Sequence, residues 1–204
     1  MPRIVVFGAD GFIGRHLTLA LARQSADVVT AFDRFTEYRN GEGHVFSAHD
    51  NITVVPGDFF NRDEVQASLD KADYVFHLVS ATTPASSAND PFIDIDTNLR
   101  ATIELLEACV EAGVKRVIFP SSGGTVYGDQ PATIIDEDAL PQPRSPYGII
   151  KLTIENYLRY FKYTHGLDYI VYRIANPYGP GQNIHGKQGV IPIFMYRALH
   201  DLPL

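Results

Sequence analysis

Tyr147 and Lys151 stand four residues apart in SPYGIIK, just after Pro146. Proline suits the first turn of a helix, and a spacing of four puts both side chains on one helix face. A tyrosine has an ordinary pKa of about 10, so only about 0.1% is phenolate at neutral pH. A neighbouring ammonium favours the phenolate, and a second cation alongside would add to that. Lowering the pKa to about 7 takes about 4 kcal/mol of differential stabilisation. Such a tyrosine can take a proton from a sugar hydroxyl while hydride leaves the same carbon. The competing reading is a surface Tyr–Lys pair at chance spacing, which 11 tyrosines make common.

The pair gains weight from the N-terminus. The apolar run 4–7 reads as a buried strand that ends in GADGFIG, with Gly8, Gly11 and Gly14 spaced GxxGxxG. Gly8 permits a tight turn, Gly11 lets a pyrophosphate approach the backbone, and Gly14 lets the following helix pack on the strand. That helix offers free N–H groups to phosphates at its N-terminus. Asp33 follows at the end of the second strand, 19 residues past Gly14. An acid there accepts hydrogen bonds from an adenosine ribose. The alternative is a plain tight turn with a surface aspartate.

Two further residues read both ways. Asp58, in VVPGDFFNRDEV, either bonds an adenine amino group with Phe59 or Phe60 beside the ring, or forms an Asx turn or helix cap before Asn61. His77 closes the fourth strand, and a lone histidine there reads as structural. The seven histidines show no metal spacing such as HExxH, so no metal site is expected.

The elements that must position these residues alternate. Strands are expected at 4–7, 28–32, 52–55, 74–79, 117–119 and 169–174, and helices at 11–24, 62–69, 92–112 and 147–165. Nearly every strand is apolar throughout, so both sheet faces should be covered. This is the pattern of an α/β fold, with a parallel sheet and right-handed crossovers. Loops at 34–51, 80–91 and 123–146 are longer than connection requires. The last two fall at the carboxyl edge of the sheet, where ligands bind.

Composition narrows the partners. The chain has 204 residues, 45% of them hydrophobic, with 17 Lys+Arg against 24 Asp+Glu and a net charge of -7. An acidic chain has no electrostatic reason to seek nucleic acid or an anionic membrane. No apolar run approaches the ~20 residues that span a bilayer, and the four-residue run 4–7 is too short for a signal peptide. Cys109 is the single cysteine, which excludes an internal disulfide and a Cys-rich zinc site and fits a cytoplasmic protein.

Seven stretches carry a resemblance: GADGFIG (8–14), AFDRF (31–35), PGDFFNRDEV (56–65), HLVSAT (77–82), FPSSGGTVYGD (119–129), PYGIIK (146–151) and RIANPYGPGQ (173–182). In this order they resemble the extended short-chain dehydrogenase/reductases of the NAD-dependent epimerase/dehydratase family. Within it the likeness is to UDP-sugar 4-epimerases. The resemblance implies a Rossmann-like doubly wound sheet, NAD as cofactor and a nucleotide-sugar substrate, with UDP as the nucleotide. It places Gly8, Gly11, Phe12, Ile13, Gly14, Asp33, Arg34, Asp58, Phe59, Leu78, Val79, Ser80, Asn98, Tyr147 and Lys151 at the cofactor, and Asn176 at the substrate. It also implies a homodimer through the helices 92–112 and 147–165. Residues 1–175 would form the NAD-binding domain and 176–204 the start of a substrate lobe. The other readings are a 4,6-dehydratase, a keto-sugar reductase, or an NAD-binding protein without turnover.

Two departures stand out. Relatives carry a catalytic Ser or Thr four residues before the tyrosine of VYG, here Tyr127, and that position is Gly123. The hydroxyls at hand are Ser122 and Thr125, and either can serve, with Thr125 also facing substrate. Second, family members continue well past residue 204, so the sequence reads as an incomplete form of a longer protein. Val190, Ile191 and their neighbours through Leu199 would then lack cover.

Overall fold

In the computed structural model, residues 1–24, 28–36, 45–131, 134–185 and 189–204 are described. Six parallel strands form one sheet in the order β3-β2-β1-β4-β5-β6. They are β1 (Arg3–Phe7), β2 (Val28–Asp33), β3 (Ile52–Pro56), β4 (Tyr74–His77), β5 (Arg116–Ser122) and β6 (Asp168–Ile174). The order reverses beside β1, which pairs β2 on one side and β4 on the other. A crevice opens at such a switch point, outside the carboxyl ends of the strands.

Helices cover both faces, as the continuous apolar strands require. Ile4 and Val6 point to one side, into a core with Ala31, Phe35 and Phe46 against α1 (Phe12–Ala22). Val5 and Phe7 point to the other, into a larger core with Phe32, Val75 and Phe119. That core is closed by α2 (Arg62–Ser68), α5 (Arg100–Ala112) and α7 (Pro146–His165). Ser145 caps α7 by accepting a hydrogen bond from Gly148 N, and Pro146 takes its first position. Among the described residues, no helix is long and apolar enough to cross a membrane.

Three differences from the sequence expectations shape the site. The strand expected at 74–79 ends at His77, and Leu78–Ser80 turn away to line a cavity. The helix expected at 92–112 runs without a break from residue 91, but widens in its first half: α4 (Pro91–Ile93) passes into a π-helical stretch (Asp94–Leu99) and then into α5. The wider turn faces Asp94 and Asn98 together, with Asn98 Nδ2 2.7 Å from Asp94 Oδ1. The strand expected at 117–119 runs on to Ser122, because β6 pairs with it along its whole length. The long loops are partly built. The 80–91 loop contains α3 (Pro84–Asn89), and the 123–146 loop begins with one helical turn, α6 (Gly123–Val126). Of the 34–51 loop, residues 37–44 lie outside the described residues.

Candidate active site at the carboxyl edge

The glycine turn is tightly closed. Gly8 has φ +84, and a Cβ there would stand 3.0 Å from the backbone of Leu78 and Val79. A Cβ on Gly14 would meet the Gly8 carbonyl at 2.0 Å, so only glycine lets α1 start this close to β1. Gly11 caps α1 without a side-chain hydrogen bond, so the helix N-terminus meets the cavity through backbone alone.

A cavity of about 240 Å³ lies in front of this turn. It brings together Gly8, Gly11, Asp33, Arg34, Asp58, Phe59, Leu78, Val79 and Ser80. Asp33 is oriented by two backbone donors: Asp10 N to Oδ2 at 3.0 Å and Arg34 N to Oδ1 at 2.7 Å. Asp58 forms the Asx turn, accepting from Phe60 N at 3.0 Å, and borders the cavity as well. The cap of α2 is Asn61. Phe59 is mainly a core residue, stacked on His77 at 5.1 Å.

A second cavity of about 550 Å³ adjoins the first through Leu78 and Ser80. Ile13, Ser122, Thr125, Tyr147, Lys151 and Asn176 all line it. Phe12 and Gly14 line neither cavity. Phe12 makes an edge contact with His16, and Gly14 is buried under the turn. Asn98 faces a narrow cleft with Tyr147 and Lys151, and its amide is committed to protein. Its Oδ1 accepts from Ala81 N at 2.9 Å, and its Nδ2 donates to Thr82 Oγ1 and Asp94 Oδ1, each at 2.7 Å. Asn98 therefore holds the loop that carries Ser80.

Lys151 is buried and donates to the Pro120 carbonyl at 3.1 Å. Its Nζ stands over the Phe119 ring at 4.6 Å and over the Tyr147 ring at 5.5 Å. Burial pulls the ammonium down to about 8, opposed by the charges of Asp94 and Glu155. The Tyr147 phenol is pushed above its ordinary value, by burial first and then by Asp94, with a Ser80 hydrogen bond opposing. The sequence alone suggested the reverse, a phenol lowered by its lysine. In the protein by itself, desolvation and the Asp94 carboxylate outweigh the Ser80 hydrogen bond.

Ser122 and Thr125, on β5 and α6, line the same cavity as Tyr147. Ser122 ends β5, and Thr125 sits in α6 with its Oγ1 buried and without a hydrogen-bond partner among the described residues. Behind them Glu155, buried on α7, forms a bidentate pair with Arg173 on β6: Nη2 to Oε2 at 2.7 Å and Nε to Oε1 at 3.2 Å. Arg173 Nη1 also donates to Tyr127 Oη at 2.8 Å. This pair and the buried Asp94 were not visible in the sequence, where each reads as one charge on an amphipathic element.

His77 is structural, as expected. It is buried, its Nε2 lies 2.8 Å from Thr102 Oγ1, and burial pushes it down to about 3, with Lys151 adding to the shift. Among the described residues, no group of three or more His, Cys, Asp or Glu side chains gathers as a metal site would require.

The residues present fit NAD: a turn too tight for side chains, an oriented carboxylate on the rim, and a path past Leu78–Ser80 to Tyr147. Residues 4–204 match the NAD dependent epimerase/dehydratase family. The UDP-glucose 4-epimerase of Mycolicibacterium smegmatis is 36% identical over 193 residues, which cover 94% of this chain and 61% of that protein. The crystal structure of UDP-glucose 4-epimerase with UDP-glucose from Thermotoga maritima superposes with a TM-score of 0.87 at 35% identity, covering 99% of this chain and 64% of that one. The Thermus thermophilus UDP-glucose 4-epimerase in complex with NAD gives a TM-score of 0.86 at 31% identity, with the same coverage. The chain thus spans less than two thirds of the length of these relatives. By the match along its length and by the fold, the chain belongs to the NAD dependent epimerase/dehydratase family.

Proposed function

We propose that this chain carries the redox half of an NAD-dependent nucleotide-sugar 4-epimerase that acts on a UDP-linked sugar. In this reading residues 1–175 form the cofactor domain and 176–204 begin the substrate side. The observation that carries it is the grouping of Tyr147, Lys151, Ser122, Thr125 and Asn176 around one cavity that opens onto the glycine turn.

NAD, when bound, would supply a cationic ring able to accept a proton together with an electron pair from the sugar carbon and to return them. Tyr147 takes the proton of the 4-hydroxyl and gives it back when the other face of the keto-sugar is reduced. Lys151 lies under that phenol and favours its ionised form. The Thr125 or Ser122 hydroxyl bonds the same sugar oxygen and holds it at the phenol. Asn176 holds the sugar from the β6 side.

A 4,6-dehydratase needs an acid and a base for the loss of water across C5 and C6. The resemblance places those groups three and two residues before Tyr127, at Gly124 and Thr125. Gly124 is exposed on the wall of the same cavity and carries no side chain, and neither residue shuttles a proton at neutral pH. Two of the relatives named above are solved with UDP-glucose or NAD, which supports the choice of ligands. Exposed Phe92, Ile95, Ile149 and Tyr160 on the two long helical segments support a homodimer through them.

The test is to add UDP-, GDP- and dTDP-sugars to the intact protein with NAD, follow absorbance near 340 nm, and identify products by proton NMR. Interconversion of UDP-glucose and UDP-galactose is the expected result. A 4-keto-6-deoxy product, or none with any sugar, overturns the reading.

A further inference from the structure

The Asp94 carboxylate is wholly buried, and the reaction above leaves it without a role. Its Oδ1 accepts from Asn98 Nδ2 at 2.7 Å and from the Thr82 hydroxyl, and its Oδ2 accepts from the Ser87 hydroxyl. All three donors are neutral. Neutral donors lower the cost of a buried charge, and a charge of the other sign nearby lowers it further.

One cation shares its surroundings. Lys151 lines the same narrow cleft, together with Tyr147 and Asn98. No hydrogen bond joins Asp94 to Lys151 among the described residues, so any coupling acts through space. The other groups around Lys151 are accounted for. Its own helix presents Tyr147 and Glu155, and Glu155 is matched by the bidentate Arg173 on β6. From β5 come the Phe119 ring and the Pro120 carbonyl. His77 on β4 is neutral at working pH. Asp94 is left as the unmatched carboxylate beside the unmatched ammonium.

Asp94 also holds the backbone around the site. Thr82 and Ser87 belong to the segment that follows β4, and Asn98 closes it through Ala81 N at 2.9 Å. Ser80, which lines the cleft with Tyr147 and whose hydroxyl donates to the Thr82 carbonyl at 3.1 Å, lies at the head of that segment.

We propose that Asp94 is the counter-ion of Lys151 and, through Thr82, Ser87 and Asn98, the anchor of the loop bearing Ser80, and so a positioning residue for the Tyr147–Lys151 pair. The proposal rests on the reading of that pair as the proton-handling site. Its consequence is that the ammonium and the carboxylate offset each other at the phenol. Tyr147 then gives up its proton only when further positive charge is brought beside it.

The experiment is an NMR titration of the Lys151 side chain, in the protein and in Asp94→Asn. The sign separates the two roles. Packing that merely loosened would hydrate the ammonium and move its midpoint from about 8 toward the ordinary 10.5. Loss of a counter-ion moves it down instead, by about one unit. A midpoint that stays or rises in Asp94→Asn overturns the proposal. If Asp94→Asn does not fold, Asp94→Ser, which keeps a small hydroxyl for the same partners, is expected to give the same fall, and no fall there overturns it equally. The double variant Thr82→Val with Ser87→Ala removes two donors and keeps the charge. Its midpoint should stay within about half a unit of the parent, given that opposite charges act over several ångströms, and a fall as large as that of Asp94→Asn overturns the proposal. The readout does not depend on sugar turnover, so an inactive enzyme with the expected shift refutes the epimerase reading and leaves the counter-ion standing.

Discussion

A Cβ on Gly123 would stand 2.8 Å from the carbonyl oxygen of Arg173. Gly123 lies where β5 passes into α6, and Arg173 is on the adjacent strand β6. Paired backbone cannot swing aside as a side-chain tip can. The position at which the resemblance implies a hydroxyl is therefore closed to a side chain in this chain, and in the proposed reading Ser122 or Thr125 supplies the hydroxyl instead.

The Gly123→Ser variant, which adds the hydroxyl that the resemblance implies there, is expected to destabilise the protein by about 1–3 kcal/mol, the usual cost of overpacking. Sugar turnover should not rise. Urea unfolding beside a turnover assay checks both. A stable variant with faster turnover would show that the strand pairing yields and that Gly123 is a defect rather than an adaptation.

Asp33 should select NAD over NADP by at least about tenfold, which corresponds to about 1.4 kcal/mol of discrimination. Its carboxylate is fixed by two backbone N–H groups on the rim of the cavity, where a 2′-phosphate would meet it. Arg34 stands beside it and softens the repulsion. Asp33→Ser should narrow the gap, chiefly by weakening NAD. Calorimetric titration with both dinucleotides decides it, and equal affinities for the parent protein would remove Asp33 from this role.

His77 makes acid stability measurable. Its pKa in the folded protein is about 3, below the ordinary 6.5, because burial disfavours the charged ring. Between these values the unfolded chain binds the extra proton, so stability is full above 6.5 and declines as pH falls toward 3. The span corresponds to at most about 5 kcal/mol. His77→Gln cannot take that proton, so its stability should fall less steeply over the same range. Thermal melts at stepped pH test the difference, and identical slopes would mean that His77 is hydrated in the folded state.

Much of the frame was readable from local pattern. Continuous apolar runs gave the buried parallel strands, and the glycine spacing gave the turn, since both depend on near neighbours in sequence. Tyr147 and Lys151 were readable because a helix fixes their relation. What escaped depends on distant partners. Asp94 reads as one acid on a helix face until Thr82, Ser87 and Asn98 close around it. The Glu155–Arg173 pair joins residues 18 apart through the α7-to-β6 crossover. The extension of β5 through Pro120 to Ser122 has no apolar signature and exists because β6 lies beside it. The sign of the Tyr147 shift in the protein without cofactor is not legible in the sequence for the same reason. The lysine was visible in sequence, whereas the burial and the facing carboxylate were not.

The central claim is that Tyr147 handles the proton of an NAD-dependent sugar oxidation, and Tyr147→Phe in the intact protein tests it most directly. The ring and its packing remain, and only the proton acceptor is lost. NAD affinity by calorimetry should stay within about threefold, while conversion of UDP-glucose to UDP-galactose, followed by NMR, should drop by about a thousandfold or more, in line with the loss of a general acid–base group. Lys151→Ala should weaken both measures. Turnover by Tyr147→Phe at the parent rate would contradict the account, because the proton would then leave by a group outside this site.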